Sequence, residues 1–158
     1  MKVPFLDMWR MHDQFEQTFK DIFSNILKNS YFIKGDGLET FEKNFSDWVG
    51  TKYSRGVASG HDALVLALRA MGVNKGDKVI APAMTFISTI EAILEVGAEP
   101  VLVDVDEEGL IDLNQVEQKA KEGIQYFVPV HLYGQMVNPK GIEALIKKYS
   151  LKVLEDCA

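Results

Sequence analysis

The first fifty residues carry apolar side chains at every third or fourth position, which is the period of an amphipathic helix. One stripe covers residues 11–27, and a second begins at Leu38 and ends before Gly50. Glycine after the last apolar position is a common helix stop signal. The pattern therefore predicts two helices before any strand, and residues 1–50 are expected to form an N-terminal helical segment.

Beyond Gly50, short apolar runs alternate with segments of helical period. The runs that predict strands are residues 55–58, 78–81, 100–104, 126–130 and 152–154. The segments that predict helices are residues 62–71, 85–96, 113–122 and 139–149. Nearly continuous apolar strands that alternate with helices are typical of a mostly parallel sheet covered by helices on both faces. Residues 51–158 are therefore expected to form an α/β domain that binds ligands at the carboxyl ends of its strands.

The composition narrows the class of function. The 158 residues include 17 Lys and Arg against 23 Asp and Glu, a net charge of −6. Nucleic-acid binding without sequence preference needs a basic surface, so this acidic balance argues against it. No apolar run reaches the roughly 18 residues of a membrane span, no secretory signal is expected at the N-terminus, and the single Cys157 cannot form an intramolecular disulfide. A reducing cytoplasm is the expected compartment.

The turn after the first predicted strand contains small residues and opens a helix, at Ser59, Gly60, His61 and Asp62. Such a turn can point backbone N–H groups outward, where the helix dipole favours an anion such as a phosphate. Ser59 can also serve as a helix cap with no ligand. Because the turn lacks the lysine of a P-loop and is not a G-x-G-x-x-G motif, the residues by themselves favour the structural cap.

Aromatic and imidazole side chains follow two other strands. Phe86, directly after Thr85, could stack on a planar ligand ring, although an aromatic residue at the start of a buried helix more often packs in the core. His131 and Tyr133 follow the strand predicted at 126–130. We expect them to line a site at most, because a histidine without a partner is more often structural than catalytic.

Two acidic segments also lie at strand ends. Residues 104–109 begin like a calcium loop, but Gln115 stands where the twelfth position needs a bidentate glutamate, so no metal is expected. Glu155 and Asp156 end the last apolar strand. They allow three interpretations: a magnesium site, for which no P-loop is present, a capping aspartate, or a buried carboxylate that holds a cationic ring nitrogen of a cofactor. The residues alone do not choose among them.

Six segments, in this order and at this spacing, resemble the N-terminal part of the DegT/DnrJ/EryC1/StrS family of pyridoxal-phosphate-dependent sugar aminotransferases. They are residues 35–42, 59–64, 76–86, 97–106, 129–135 and 155–158. The resemblance implies the large domain of a fold-type-I aminotransferase, incomplete at its C-terminus. It also implies pyridoxal 5'-phosphate as cofactor, with pyridoxamine phosphate in the other half-reaction, and a homodimer.

Matched position by position, the resemblance implies roles for the strand-end residues. Gly60, His61 and Asp62 would hold the cofactor phosphate through backbone N–H groups. Phe86 would stack on the pyridine ring, and Asp156 would pair with the ring nitrogen. The family usually has threonine where this chain has His61, so a hydroxyl contact to the phosphate is lost. The further residues that would line the site are Ser59, Thr85, His131 and Tyr133.

The resemblance also implies what this stretch does not contain. The family's Schiff-base lysine and small C-terminal domain would lie beyond residue 158, so no catalytic residue is assigned and the chain by itself is expected to be inactive. Uncovered apolar surface is expected to make it associate with another chain or with itself. The implied reaction transfers an amino group, usually from glutamate, to a nucleotide-linked keto-sugar in amino-sugar or surface-polysaccharide biosynthesis. The alternative is a non-catalytic binding or interaction module, or a partner subunit, derived from the same fold.

Overall fold

A computed structural model of the chain describes residues 3–158. The chain divides into two units, one that ends at Gly56 and one from Val57 to Ala158. Within the described range, the first unit has helices alone, and the second has helices and a parallel sheet. No helix in that range is long and apolar enough to cross a membrane.

The first unit consists of short and medium helices. α1 spans Met8–His12, a 3-10 helix follows at Asp13–Phe15, α2 spans Glu16–Asn29, and α3 spans Asp36–Val49. The helix predicted at 11–27 is therefore interrupted by a 3-10 segment and runs two residues further. α3 ends where Gly50 adopts a left-handed φ of 81°, which is the conformation that makes glycine a frequent helix terminator.

The apolar faces of α2 and α3 are exposed. Among the described residues of this unit, Ser46 alone is buried. The exposed apolar side chains on α2 and α3 include Phe19, Ile22, Phe23, Leu27, Leu38, Phe41, Phe45, Trp48 and Val49. The end of the unit is tied to α3 through Glu42, whose Oε2 accepts from Arg55 Nη1 at 2.8 Å and whose Oε1 accepts the Gly56 N–H at 2.9 Å.

The second unit alternates helices and strands. Its elements are α4 Gly60–Ala70, β1 Lys78–Pro82, α5 Ile87–Glu95, β2 Glu99–Val103, α6 Leu113–Lys121, β3 Tyr126–Phe127, α7 Pro139–Tyr149 and β4 Lys152–Val153. The predicted α/β class with a parallel sheet is confirmed, and α7 matches the prediction at both ends. The strand predicted at 55–58 is wrong, since no strand in the described part of the chain pairs with these residues.

The sheet has the order β2–β1–β3–β4, and every pair is parallel. β1 pairs with β2 along its whole length, from Lys78 opposite Glu99 to Pro82 opposite Val103. On its other side, Ile80 of β1 lies opposite Phe127 of β3. The chain thus leaves β1 on one side to form β2 and returns on the other side to form β3. This reversal creates a topological switch point at the carboxyl ends of β1 and β3.

Alternate residues of β1 enter two separate apolar cores. Ile80 packs with Phe127 and with buried residues of α6 and α7, such as Val116 and Leu145. Its neighbours on β1 pack instead with buried residues of α4 and α5; this second core includes Val79, Ala81, Leu64, Leu68, Ala92 and Ile93. Since successive side chains of a strand point to opposite faces, α4 and α5 cover one face of the sheet, and α6 and α7 cover the other.

Candidate functional site

A cavity of about 290 Å³ opens beside the switch point of the second unit. It is lined from the start of α4, the start of α5, the segment after β3 and the end of the chain. The lining residues are Ser59, Gly60, His61, Leu64, Thr85, Phe86, Ser88, Thr89, Val130, Leu132, Asp156 and Ala158. Ligands of open α/β sheets bind at such a position, so this cavity is the candidate site.

The first wall of the cavity is the N-terminus of α4. Ser59 caps the helix: its Oγ accepts the Asp62 N–H at 3.1 Å and donates to Asp62 Oδ2 at 2.7 Å. The Ser59 carbonyl accepts the Ala63 N–H at 3.0 Å. The N–H groups of Gly60 and His61 come before any intrahelical acceptor and remain for an external one. Ser59 is thus a cap, and the cap leaves two donors at the positive end of the helix.

His61 connects the start of α4 to the end of α5. Its Nε2 lies 2.9 Å from Glu95 Oε2, and about half of the Glu95 side chain is exposed. The hydrogen bond to Glu95 raises the pKa of His61 above its ordinary value, against a smaller opposing effect of desolvation. The imidazole therefore gains positive charge more readily beside the helix N-terminus, a place that already favours an anion.

Asp156 is a buried carboxylate at the base of the cavity, with 8% of its surface exposed. Thr89 Oγ1 donates to its Oδ2 at 2.8 Å, and the Ala158 N–H donates to its Oδ1 at 3.2 Å. Its backbone bridges to the segment after β3, where the Asp156 N–H donates to the Pro129 carbonyl and the His131 N–H donates to the Asp156 carbonyl, each at 2.9 Å. Each carboxylate oxygen of Asp156 therefore has a hydrogen-bond donor, while the side chain lines the cavity.

Phe86 is the large aromatic side chain of the cavity. It is the N-cap residue of α5 and remains 72% exposed. An aromatic residue that packed in the core would be buried, so the reading of Phe86 as a core residue does not fit. Its ring is free to stack on a planar ligand. Thr85, just before it, donates or accepts a hydrogen bond with Thr89 at 2.9 Å.

Three residues proposed from the sequence lie outside the lining of the cavity. Asp62 uses its backbone N–H on Ser59. Tyr133 is 83% exposed in a short 3-10 turn with a φ of 54°. His131 contributes its backbone N–H to Asp156, while its Nδ1 accepts the Val137 N–H at 3.1 Å. The cavity instead includes six residues that were not predicted from the sequence: Leu64, Ser88, Thr89, Val130, Leu132 and Ala158.

The donor atoms of His131, Glu155 and Cys157 lie within 4.8 Å of one another. The Val137 N–H donates to Nδ1 of His131, so the ring proton of the neutral form sits on Nε2, which points at Glu155 Oε2 3.1 Å away. Burial, with the charges of Glu155 and Asp156, raises the pKa of the Cys157 thiol. A protonated nitrogen and a neutral thiol are poor metal ligands, and the contact between His131 and Glu155 is an ordinary hydrogen bond.

The acidic loop after β2 is organised by its own backbone. Asp106 Oδ1 accepts the N–H groups of Glu108 at 3.1 Å and Leu110 at 2.9 Å, and the Asp106 carbonyl accepts the Gly109 N–H at 3.0 Å. This turn explains the calcium-loop-like spacing of the acidic residues and glycine as local turn chemistry.

The fold and the cavity define the class of protein: a doubly wound α/β chain in which a helix N-terminus, an exposed aromatic ring and a buried carboxylate surround one cavity. The model of the DegT/DnrJ/EryC1/StrS aminotransferase family matches residues 13–158, and the chain belongs to this family.

The chain is 39% identical over 157 residues to the dTDP-3-amino-3,6-dideoxy-alpha-D-galactopyranose transaminase of Aneurinibacillus thermoaerophilus, with 99% of this chain and 43% of the relative covered. Among solved structures it superposes on DesV of S. venezuelae with a TM-score of 0.93 at 33% identity, over 98% of this chain and 42% of the other. NtdA of Bacillus subtilis, solved with bound cofactor PMP, gives a TM-score of 0.90 at 35% identity, over 98% and 36%. The chain thus spans about two fifths of the length of these relatives.

Proposed function

We propose that this chain contributes the cofactor-contacting part of a pyridoxal-phosphate-dependent aminotransferase. The enzyme would transfer an amino group from glutamate to a nucleotide-linked keto-sugar in amino-sugar or surface-polysaccharide biosynthesis. The observation that carries the proposal is the cavity itself, which brings together the Gly60 and His61 N–H groups, the ring of Phe86 and the carboxylate of Asp156.

The residues of the cavity fit the three parts of the cofactor. The phosphate is a dianion, and the N–H groups of Gly60 and His61 with the dipole of α4 suit it. The pyridine ring is flat, and the exposed face of Phe86 suits it. The ring nitrogen is basic, and the buried Asp156 carboxylate suits its protonated form. Ser59 and Thr85 would line the site, whereas Asp62, through the cap at Ser59, and His131, through the backbone of Asp156, would support it from outside.

Bound pyridoxal phosphate would supply a ring that withdraws electrons from the carbon next to the amino group. The role of Asp156 in this chemistry is to keep a proton on the ring nitrogen, because a protonated ring is the stronger electron acceptor. Phe86 would orient the ring, and the start of α4 would anchor the phosphate. The acceptor is proposed to be a nucleotide-linked sugar because the transaminase of A. thermoaerophilus is named for a dTDP-linked one. A cytoplasmic homodimer is part of the same proposal.

The proposal is tested by adding pyridoxal phosphate to the chain and recording the absorbance of the cofactor between about pH 6 and 8. We expect a saturable spectral change. Replacing Asp156 with asparagine removes the charge at nearly constant volume and is expected to weaken binding by about tenfold to a hundredfold, the range for one charge-assisted hydrogen bond. The matched control is Glu155→Gln, which changes the neighbouring acid outside the cavity and is expected to bind normally. Absence of any binding by the unmodified chain would contradict the proposal.

A non-catalytic binding module is the second candidate. The observation that favours it is that no lysine lines the cavity within the part of the chain that the structure describes, so no side chain there can form the Schiff base. The two candidates differ in turnover. The protein encoded by the longest open reading frame that contains this chain is expected to consume glutamate in the presence of a nucleotide-linked keto-sugar. Cofactor binding without glutamate consumption in that protein would favour the binding module.

A further inference from the structure

A directed chain of hydrogen bonds runs from Thr85 through Thr89 to Asp156. Thr89 Oγ1 donates to Asp156 Oδ2 at 2.8 Å. A hydroxyl group has one proton to donate, so the contact between Thr85 Oγ1 and Thr89 Oγ1 at 2.9 Å leaves Thr85 as the donor. The Asp156 carboxylate can only accept, so it determines the direction of both hydrogen bonds.

Thr89 and Asp156, the last two members of this series of hydrogen bonds, are buried in the second unit. Thr89 is 2% exposed and Asp156 is 8% exposed, and the apolar side chains of Leu64, Val130 and Leu132 line the cavity with them. A buried polar group without a partner costs free energy, so the pair is stable because each group satisfies the other. Within the cavity, Asp156 is thus a carboxylate whose Oδ2 has a fixed protein donor.

The placement of Thr89 is not explained by helix capping. It is the third residue of α5, and threonine near a helix start commonly hydrogen-bonds the local backbone. Here its own N–H is satisfied by the Phe86 carbonyl at 3.1 Å, and its hydroxyl reaches across to Asp156 instead. Because a β-branched side chain has few allowed χ1 values in a helix, this orientation is held firmly.

We propose that Thr89 is a positioning residue that sets the orientation of the Asp156 carboxylate toward the cofactor ring nitrogen, and that Thr85 orients the hydroxyl of Thr89. This inference rests on the proposed function, because it assigns Asp156 a partner in the cavity. With Oδ2 held by Thr89 and Oδ1 by the Ala158 N–H, the carboxylate cannot rotate without losing a hydrogen bond. A fixed acceptor holds a ring proton better than one that must be oriented on binding.

The test compares Thr89→Val, which keeps the shape and removes the hydroxyl, with Thr89→Ser, which keeps the hydroxyl. Nitrogen NMR of isotope-labelled pyridoxal phosphate bound to each protein reports protonation of the ring nitrogen as the pH is raised. In Thr89→Val we expect the apparent pKa of that nitrogen to fall by about one unit, a tenfold loss of preference for the proton. Thr89→Ser is expected to restore it, and Thr85→Val to give a smaller fall in the same direction. Thr18→Val, at an exposed position on α2, is the control for the substitution itself.

The outcomes separate this inference from the proposed function. Normal cofactor binding with an unchanged or raised pKa of the ring nitrogen in Thr89→Val would overturn the positioning role. If the Thr89 hydroxyl only weakened the carboxylate as an acceptor, its removal would raise that pKa. If the unmodified protein binds no cofactor, the proposed function fails, and the carboxyl carbon resonance of Asp156 remains as the readout. A shift of that resonance in Thr89→Val but not in Thr18→Val would support the positioning of Asp156 by Thr89, and no shift would overturn it.

Discussion

Both units contain amphipathic helices, but the apolar faces of these helices are exposed in the first unit and buried in the second. On α3 in the first unit, Phe41 is 57% exposed and Trp48 is 82% exposed. On α4 and α5 in the second unit, Leu68 and Ile93 are at most 1% exposed. The helices of the second unit lie on a sheet whose faces are apolar, and the described helices of the first unit have no such surface within their own unit. An apolar stripe predicts a helix, but burial depends on what that stripe meets.

The largest difference between the units is expected in how far a phenylalanine-to-alanine substitution lowers the free energy of unfolding. Phe127 of β3 is fully buried in one of the two cores, so Phe127→Ala is expected to lower the free energy of unfolding by about 3–5 kcal/mol. Phe41→Ala, the matched change on an exposed face, is expected to cost less than about 1 kcal/mol. Urea unfolding measures both. Equal losses would show that the first unit has a buried core after all.

A second difference is expected in self-association. The exposed apolar faces of α2 and α3 favour contact between copies of the chain. Phe45→Lys places a charge on the apolar face of α3 and is expected to lower the average mass measured by light scattering. Asn44→Lys adds the same charge one position away and is expected to leave the mass unchanged. A monodisperse monomer before any substitution would rule out this role for the apolar face.

A smaller effect concerns the contact between α6 and α7 in the second unit. Glu117 Oε1 accepts from Lys148 Nζ at 2.6 Å and from Tyr149 Oη at 2.8 Å. The hydrogen bond from Lys148, then that from Tyr149, lowers the pKa of Glu117 to about 2. A lowered pKa gives stability that is present above the ordinary value of 4.5 and is lost as the pH falls toward 2. Glu117→Gln is therefore expected to flatten the fall in stability across that window.

Denaturant unfolding at a series of acidic pH values measures the effect at Glu117. The control is Glu143→Gln, which removes an exposed glutamate that pairs with Lys147 within α7. That variant is expected to keep the pH dependence of the original chain. An identical pH profile for Glu117→Gln and the original chain would mean that the contact between α6 and α7 does not contribute to it.

The smallest effect is expected at the link between His61 and Glu95. The pKa of His61 is raised, so the stability that this link provides is present below the ordinary value of 6.5 and is lost as the pH rises through the folded-state pKa. Glu95→Gln is expected to remove this slope, whereas Glu99→Gln on β2 leaves it intact. Proton NMR titration of His61 checks the cause directly, since Glu95→Gln should move its midpoint to lower pH.

Local patterns predicted most elements of the second unit and failed where pairing decides. α7 begins at Pro139 and ends at Tyr149 as predicted, because both its apolar period and its ends are local signals. The strand predicted at 126–130 forms a regular strand only at Tyr126 and Phe127, with one isolated bridge from Val130 to Asp156, and residues 55–58 form no strand. A strand needs a neighbour to satisfy its backbone, and no short apolar run contains information about that neighbour.

In the candidate site, too, local signals predicted some residues and contacts between distant residues decided the others. Ser59, Gly60, His61, Thr85, Phe86 and Asp156 were selected from their places after predicted strands, and the structure brings all six to one cavity even though no strand precedes Ser59 among the described residues. Thr89 was missed because a threonine inside an amphipathic helix carries no signal of a distant partner. Asp62 and Tyr133 were selected by the same neighbourhood rule, yet one serves the helix cap and the other faces outward.

The sequence by itself determined the helices, most strands, the α/β class and the strand ends at which a site could form. These depend on the spacing of apolar residues and on turn chemistry, which act over a few positions. The tertiary structure decided the strand order, the switch point between β1 and β3, and the hydrogen bond from Thr89 to Asp156. Such contacts join residues that are far apart in the chain, and their free energy comes from burial and pairing that exist only once the sheet has formed.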